Sequence, residues 1–137
     1  MAARIQRVEY FYATVKDRPG EAYRALSGLA KGGANLLAFN AVPVGGDATQ
    51  LMVFPEHPGR LRSAAETAGL VLTGPERAFL IQGDDELGAL VDIHQKLYEA
   101  QINVYASGGV ADGRGGYGYL IYVRPQDYDK AARALGE

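Results

Sequence analysis

Residues 16–39 read KDRPGEAYRALSGLAKGGANLLAF, and this stretch decides the fold. Asp17, Arg18, Pro19 and Gly20 make a turn. Proline and glycine suit the first turn of a helix, and Asp17 reads as its cap. Ala22, Ala25, Leu26 and Leu29 then recur on one helical face, until Gly32 and Gly33 end the helix. Asn35 opens an aliphatic strand, NLLAFNAV. Upstream, VEYFYATV alternates: Phe11, Ala13 and Val15 face one way, Tyr10, Tyr12 and Thr14 the other. That is the pattern of a strand with two usable faces.

Downstream, PVGGDA closes a hairpin and TQLMVF returns as a third strand. RLRSAAETAG is a second short helix, and LVLT a brief fourth strand. The segment is therefore a βαββαβ unit.

The unit recurs. Gly20 and Gly88 stand 68 residues apart, and without a gap the same spacing pairs Phe11 with Phe79, Asp17 with Asp85 and Leu29 with Leu97. It also pairs Asn35 with Asn103, Ala38 with Ala106 and Gly45 with Gly113. These identities fall in order along a strand, a turn, a helix and the next strand, which is what a repeated module requires. In the second copy AFLIQ is the first strand, DDELG the turn, and Leu90, Ile93 and Leu97 the helical stripe. INVYAS, a glycine-rich hairpin GGVADGRGG, YGYLIYV and the helix QDYDKAARAL follow. The expected fold is α+β: two tandem ferredoxin-like units, residues 6–75 and 76–137, the second lacking its last strand. Both helices of a unit should cover one face of its sheet. Tyr10, Tyr12, Tyr105, Tyr117 and Tyr119 are assigned to the other face. The missing strand would leave an open edge beside AFLIQ, so a homodimer is expected to cover it.

Composition narrows the function. Net charge is -2, so no overall field draws the chain to nucleic acid or to an anionic membrane. Cysteine is absent, which removes disulfides and thiolate chemistry. No run reaches the ~20 apolar residues of a membrane span. MAARIQRVEYF has no apolar stretch suited to a signal peptide, so a cytoplasmic setting is expected. His57 and His94 fall in different elements without acidic neighbours at ligand spacing, so neither a metal nor a cofactor is expected. No nucleophile–base–acid set surrounds Ser27, Ser63 or Ser107, and the chain is not read as an enzyme.

Asp17, Pro19, Gly20, Gly33, Asn35 and Leu36, in their strand–turn–helix–strand setting, resemble the signature of the ACT domain, a small ligand-binding module of amino-acid metabolism. The second copy keeps Asp85, Gly88 and Asn103, but has Leu87 in place of proline and Gln101 in place of the glycine. The resemblance implies regulation or sensing by an amino acid held at the turn of one unit against a neighbouring unit. It also implies a possible partner enzyme or regulator.

The candidate ligand-binding residues are Asp17, Arg18, Pro19, Gly20 and Asn35 in the first copy, and Asp85, Glu86, Leu87, Gly88, His94 and Asn103 in the second. Helix N-termini present unpaired N–H groups that favour a carboxylate. The acids of DDELG favour an ammonium instead. Each turn also has a purely structural reading, as a helix cap. Asn35 and Asn103 offer both donor and acceptor, to a ligand or to their own loops. The competing functional reading is a protein–protein interaction or assembly module whose ligand pocket has degenerated.

Overall fold

The alternation seen at residues 8–15 extends in both directions, so the first strand, β1, runs from Arg4 to Lys16. The computed structural model describes residues 3–137; Met1 and Ala2, the start of the segment read for a leader, lie outside the described residues. The elements that follow are α1 (Glu21–Lys31), β2 (Leu36–Pro43), β3 (Ala48–Pro55), α2 (Pro58–Ala68) and β4 (Thr73–Asp84). Then come α3 (Ala89–Glu99), β5 (Ala106–Ala111), β6 (Gly116–Tyr122) and α4 (Tyr128–Leu135). No described helix is long and apolar enough to cross a membrane.

The chain divides into two compact units. One is Glu9–Glu76, with strand order β2-β3-β1 followed by the first residues of β4. Its strands pair antiparallel, Phe11 with Val53 and Phe39 with Val53. Phe11, Ala13, Leu51 and Val53 project onto one face, where Ala25 and Leu29 of α1 and Leu61, Ala64 and Ala65 of α2 cover them. Each such Leu, Val or Phe, when fully buried, contributes about 1.5–3 kcal/mol of transfer free energy. The two helices approach closely because α1 is bare where they meet. A methyl group on Gly32 would fall 2.4 Å from the Cβ of Ala64, and one on Gly28 2.7 Å from that of Ala68.

The other unit is Arg77–Glu137 together with residues 3–8. Its core sets Phe79, Ile81, Tyr119 and Ile121 of the sheet against Ile93 and Leu97 of α3 and Tyr128, Ala131, Ala132 and Leu135 of α4. The Tyr128 ring stacks on Phe79 at 4.5 Å, and its buried hydroxyl donates to the carbonyl of Ala78 at 3.0 Å. In sequence order this copy ends on α4, with no strand after it among the described residues, as its pattern implied. Within the unit, however, the strand order is β1-β4-β6-β5. Arg4–Val8 take the fourth place beside β4, and Ala3 and Ile5 pack on the core. The edge beside AFLIQ is therefore occupied, and that argument for a dimer falls away.

Three local expectations are corrected. LVLT is not a strand of its own; β4 starts at Thr73 and runs unbroken through AFLIQ to Asp84. The strand expected at INVYAS begins only at Ala106 and continues through the glycines to Ala111. The cause is the same in both cases. Gly69 (φ 71°) and Gln101 (φ 60°) close their helices in the left-handed conformation. The next residue, Leu70 or Ile102, then donates its N–H back to Ala65 or Leu97 at 2.9 Å. This closure turns the following apolar side chain onto the core rather than into a strand. Finally, Tyr117 and Tyr119 lie on the helix-covered face: Tyr119 is 6% exposed in the core and Tyr117 packs against it.

Candidate functional site

The turn after β4 shapes a hollow in the second unit. Gly88, at φ 75°, precedes α3, and no side chain caps the helix. Glycine takes this left-handed conformation without steric cost, which explains why a glycine stands at this point in both copies. The N–H of Asp85 donates to the carbonyl of Gly115 at 2.8 Å and ties the turn to the β5–β6 hairpin. Asp85, Glu86, Leu87 and Gly88 thus form one wall of a 720 Å³ hollow. Ala89, Leu90 and Val91 of α3 continue that wall, and Gly109–Ala111 with Tyr117–Tyr119 line the sheet side.

Glycine is required on the sheet side for a steric reason. The Tyr119 ring lies across Gly109, where a Cβ would come within 2.7 Å of its Cδ1 atom. The Tyr119 hydroxyl is hydrogen bonded to Nε2 of His94 at 2.7 Å. Next to it, the Tyr117 hydroxyl is held above the usual phenol pKa, first by burial and then by the negative charges of Asp84 and Glu86. His94 also borders a shallower 610 Å³ depression with Leu90, Val91, Gln95 and Tyr98.

The structure therefore gathers four of the expected residues, Asp85, Glu86, Leu87 and Gly88, around one hollow, and sets His94 behind it through Tyr119. Asn103 is exposed in the segment before β5 and does not line that hollow. Asp17, Arg18, Pro19, Gly20 and Asn35 belong to the other unit, and all five are exposed. The residue at the cap of α1 is Gly20 (φ 92°), with no side-chain cap, so Asp17 does not cap the helix. Its N–H instead donates to the carbonyl of Asp47 at 2.6 Å, which pulls it toward the β2–β3 hairpin. The carbonyl of Asn35 accepts from the N–H of Glu56 at 2.9 Å, a loop-bracing role. Tyr117, Tyr119 and Gly109 were missed by the sequence reading. Their signal was the alternation of YGYLIYV, which marks two faces without saying which one the helices cover.

Each unit sets two helices on one face of an antiparallel sheet, and the chain is an α+β fold of two ferredoxin-like repeats. No protein-family model and no curated protein matches the sequence. Solved structures do match in fold. A protein from Bacteroides thetaiotaomicron superposes with a TM-score of 0.80 at 17% identity, over 96% of this chain and 88% of that one. The ligand-free regulatory subunit of aspartate kinase from Thermus thermophilus gives 0.65 at 14% identity, over 98% and 94%. The corresponding subunit from Thermus flavus gives 0.61 at 17%, over 98% and 94%.

Proposed function

We propose that this chain is a regulatory protein that binds a small molecule, an amino acid, in the hollow built on its second strand-to-helix turn. The observation that carries the proposal is the 720 Å³ opening framed by Asp85–Gly88, a volume suited to a small metabolite. The positive end of the α3 dipole suits a carboxylate, although the N–H groups of Ala89 and Val91 already donate to the carbonyls of Glu86 and Gly88, while Asp85 and Glu86 suit an ammonium group. Likeness of fold to regulatory subunits of aspartate kinase supports a regulatory rather than a catalytic role. On this reading the repeats 6–75 and 76–137 are copies of one module, act in the cytoplasm, and work as a homodimer or on a partner enzyme.

The test is a thermal-shift screen of the common amino acids. A ligand at a hundred times its Kd adds about 2.7 kcal/mol of stability, which is readily seen as a rise in Tm. No shift with any amino acid at saturation would defeat the proposal. A second reading, an assembly module, draws on one feature: helix α3 and its turn expose Leu87, Val91 and Tyr98, at 106%, 63% and 74%. It predicts co-purification with a protein partner that is indifferent to amino acids.

A further inference from the structure

The two copies, compared position by position, carry opposite charge around the same turn. In the first copy Glu21 opens α1, its carboxylate held between Arg24 and Arg18. The arginine pair keeps the Glu21 carboxyl below its ordinary pKa, chiefly through the Arg24 hydrogen bond. At the 68-residue spacing, Arg18 becomes Glu86, Arg24 becomes Asp92 and Glu21 becomes Ala89. Both cations are replaced by anions, and the anion between them is replaced by a methyl group. Among the described residues, neither Asp85 nor Glu86 has an ion-pair partner.

The neutral lining changes in the same sense. Thr49 and Leu51 of the first copy correspond to Tyr117 and Tyr119, so two aromatic rings border the hollow beside the carboxylates. Among the described residues, no lysine or arginine lines it. Aromatic faces attract cations, and Leu90, Val91 and Val110 supply apolar contact for a stem. Where the first copy carries its own central carboxylate, the second has only the methyl group of Ala89 on the wall of the hollow, with Glu86 beside it and Asp92 outside it.

We propose that the hollow of the second unit takes a small organic cation, an ammonium or guanidinium on a short apolar stem, held by Asp85, Glu86 and the ring of Tyr117. This rests on the ligand-binding reading above and names the chemistry that dominates it: the cationic end is required, and a ligand carboxylate is dispensable. The first copy has no such requirement, because Glu21 and its two arginines satisfy one another.

The test is calorimetric titration of the full chain with n-butylamine and arginine amide, with n-butanol and butyrate as isosteric controls. The amines should bind at least about tenfold more tightly than butanol, a difference of about 1.4 kcal/mol, and butyrate should not bind. Glu86→Gln should weaken amine binding about tenfold and leave the melting temperature of the free protein nearly unchanged. The triple variant E86R/A89E/D92R rebuilds the first copy's clamp, and should fold cooperatively yet lose amine binding. Equal binding of butylamine and butanol, or amine binding undiminished in either variant, would overturn the proposal. If zwitterionic amino acids stabilise the chain while the amines do not, the cation assignment fails and the amino-acid reading stands. If no probe of either kind binds, both fail.

Discussion

Nε2 of His94, on α3, lies 2.7 Å from the hydroxyl of Tyr119, on β6, and this contact bridges helix and sheet at the back of the hollow. At the 68-residue spacing the same two positions in the first copy are Leu26 and Leu51, an apolar pair. One copy thus has two hydrocarbon side chains at these positions, and the other a hydrogen-bonded pair.

Breaking that bond from one side should cost more than replacing both partners. Tyr119→Phe leaves the imidazole without its partner and is expected to lower stability by about 0.5–1.5 kcal/mol. The pair H94L/Y119L, which reproduces the first copy, should cost less than the sum of its single variants. Urea unfolding of the four proteins in this cycle measures the difference. Strict additivity would mean that the contact carries no coupling.

Gln101 closes α3 at φ 60°, the conformation that Gly33 adopts at φ 79° after α1. A side chain there is strained, by about 1–2 kcal/mol for an L-residue in the left-handed region. Gln101→Gly should therefore raise stability by about 1 kcal/mol, less than the full strain because glycine gains freedom in the unfolded chain. Thermal unfolding would show the gain as a higher Tm.

Two glycine substitutions should act in opposite ways. Gly32→Ala forces a methyl into Ala64, 2.4 Å away with backbone close behind, and should cost about 1–3 kcal/mol. Gly59, within α2, has open space around it. Gly59→Ala should be neutral, or stabilise by up to about 1 kcal/mol through helix propensity. Chemical denaturation of the two variants separates close packing from backbone entropy.

The Tyr128 hydroxyl titrates above the ordinary 10.0, because burial opposes its anion more than Arg77 and Arg7 favour it. A folded-state pKa above the unfolded value means that the folded chain holds the proton longer. The stability linked to this group is therefore complete below about pH 10 and falls as pH rises through the raised value. Tyr128→Phe should cost about 1–3 kcal/mol at neutral pH, by stranding the Ala78 carbonyl, and should flatten the alkaline decline. Stability measured from neutral pH to the alkaline limb tests both parts. A decline as steep in the variant as in the parent would assign it to other groups, Tyr117 among them.

The helices were legible because their signals are local. The stripe of Ala25 and Leu29 is buried as its spacing required, and so is that of Ile93 and Leu97. Gly20 and Gly88 mark the turns because only glycine enters the left-handed region freely. Less legible were the residues after each helix. Leu70 and Ile102 have strand-like neighbours, yet a backbone hydrogen bond to the helix end claims them first. At the candidate site, Asp85–Gly88 could be named from the turn alone, whereas Tyr117 and Tyr119 were assigned to the wrong face.

What the chain determines by itself is therefore its repeat, its turn chemistry and its helical stripes, each governed by interactions spanning a few residues. Only the tertiary structure decides that Arg4–Val8 join the second unit beside β4, and that Tyr119 lies across Gly109 to bound a hollow. Strand pairing and pocket shape depend on contacts between residues far apart in sequence. An alternating pattern establishes that a strand has two faces, but packing selects which of them meets the helices.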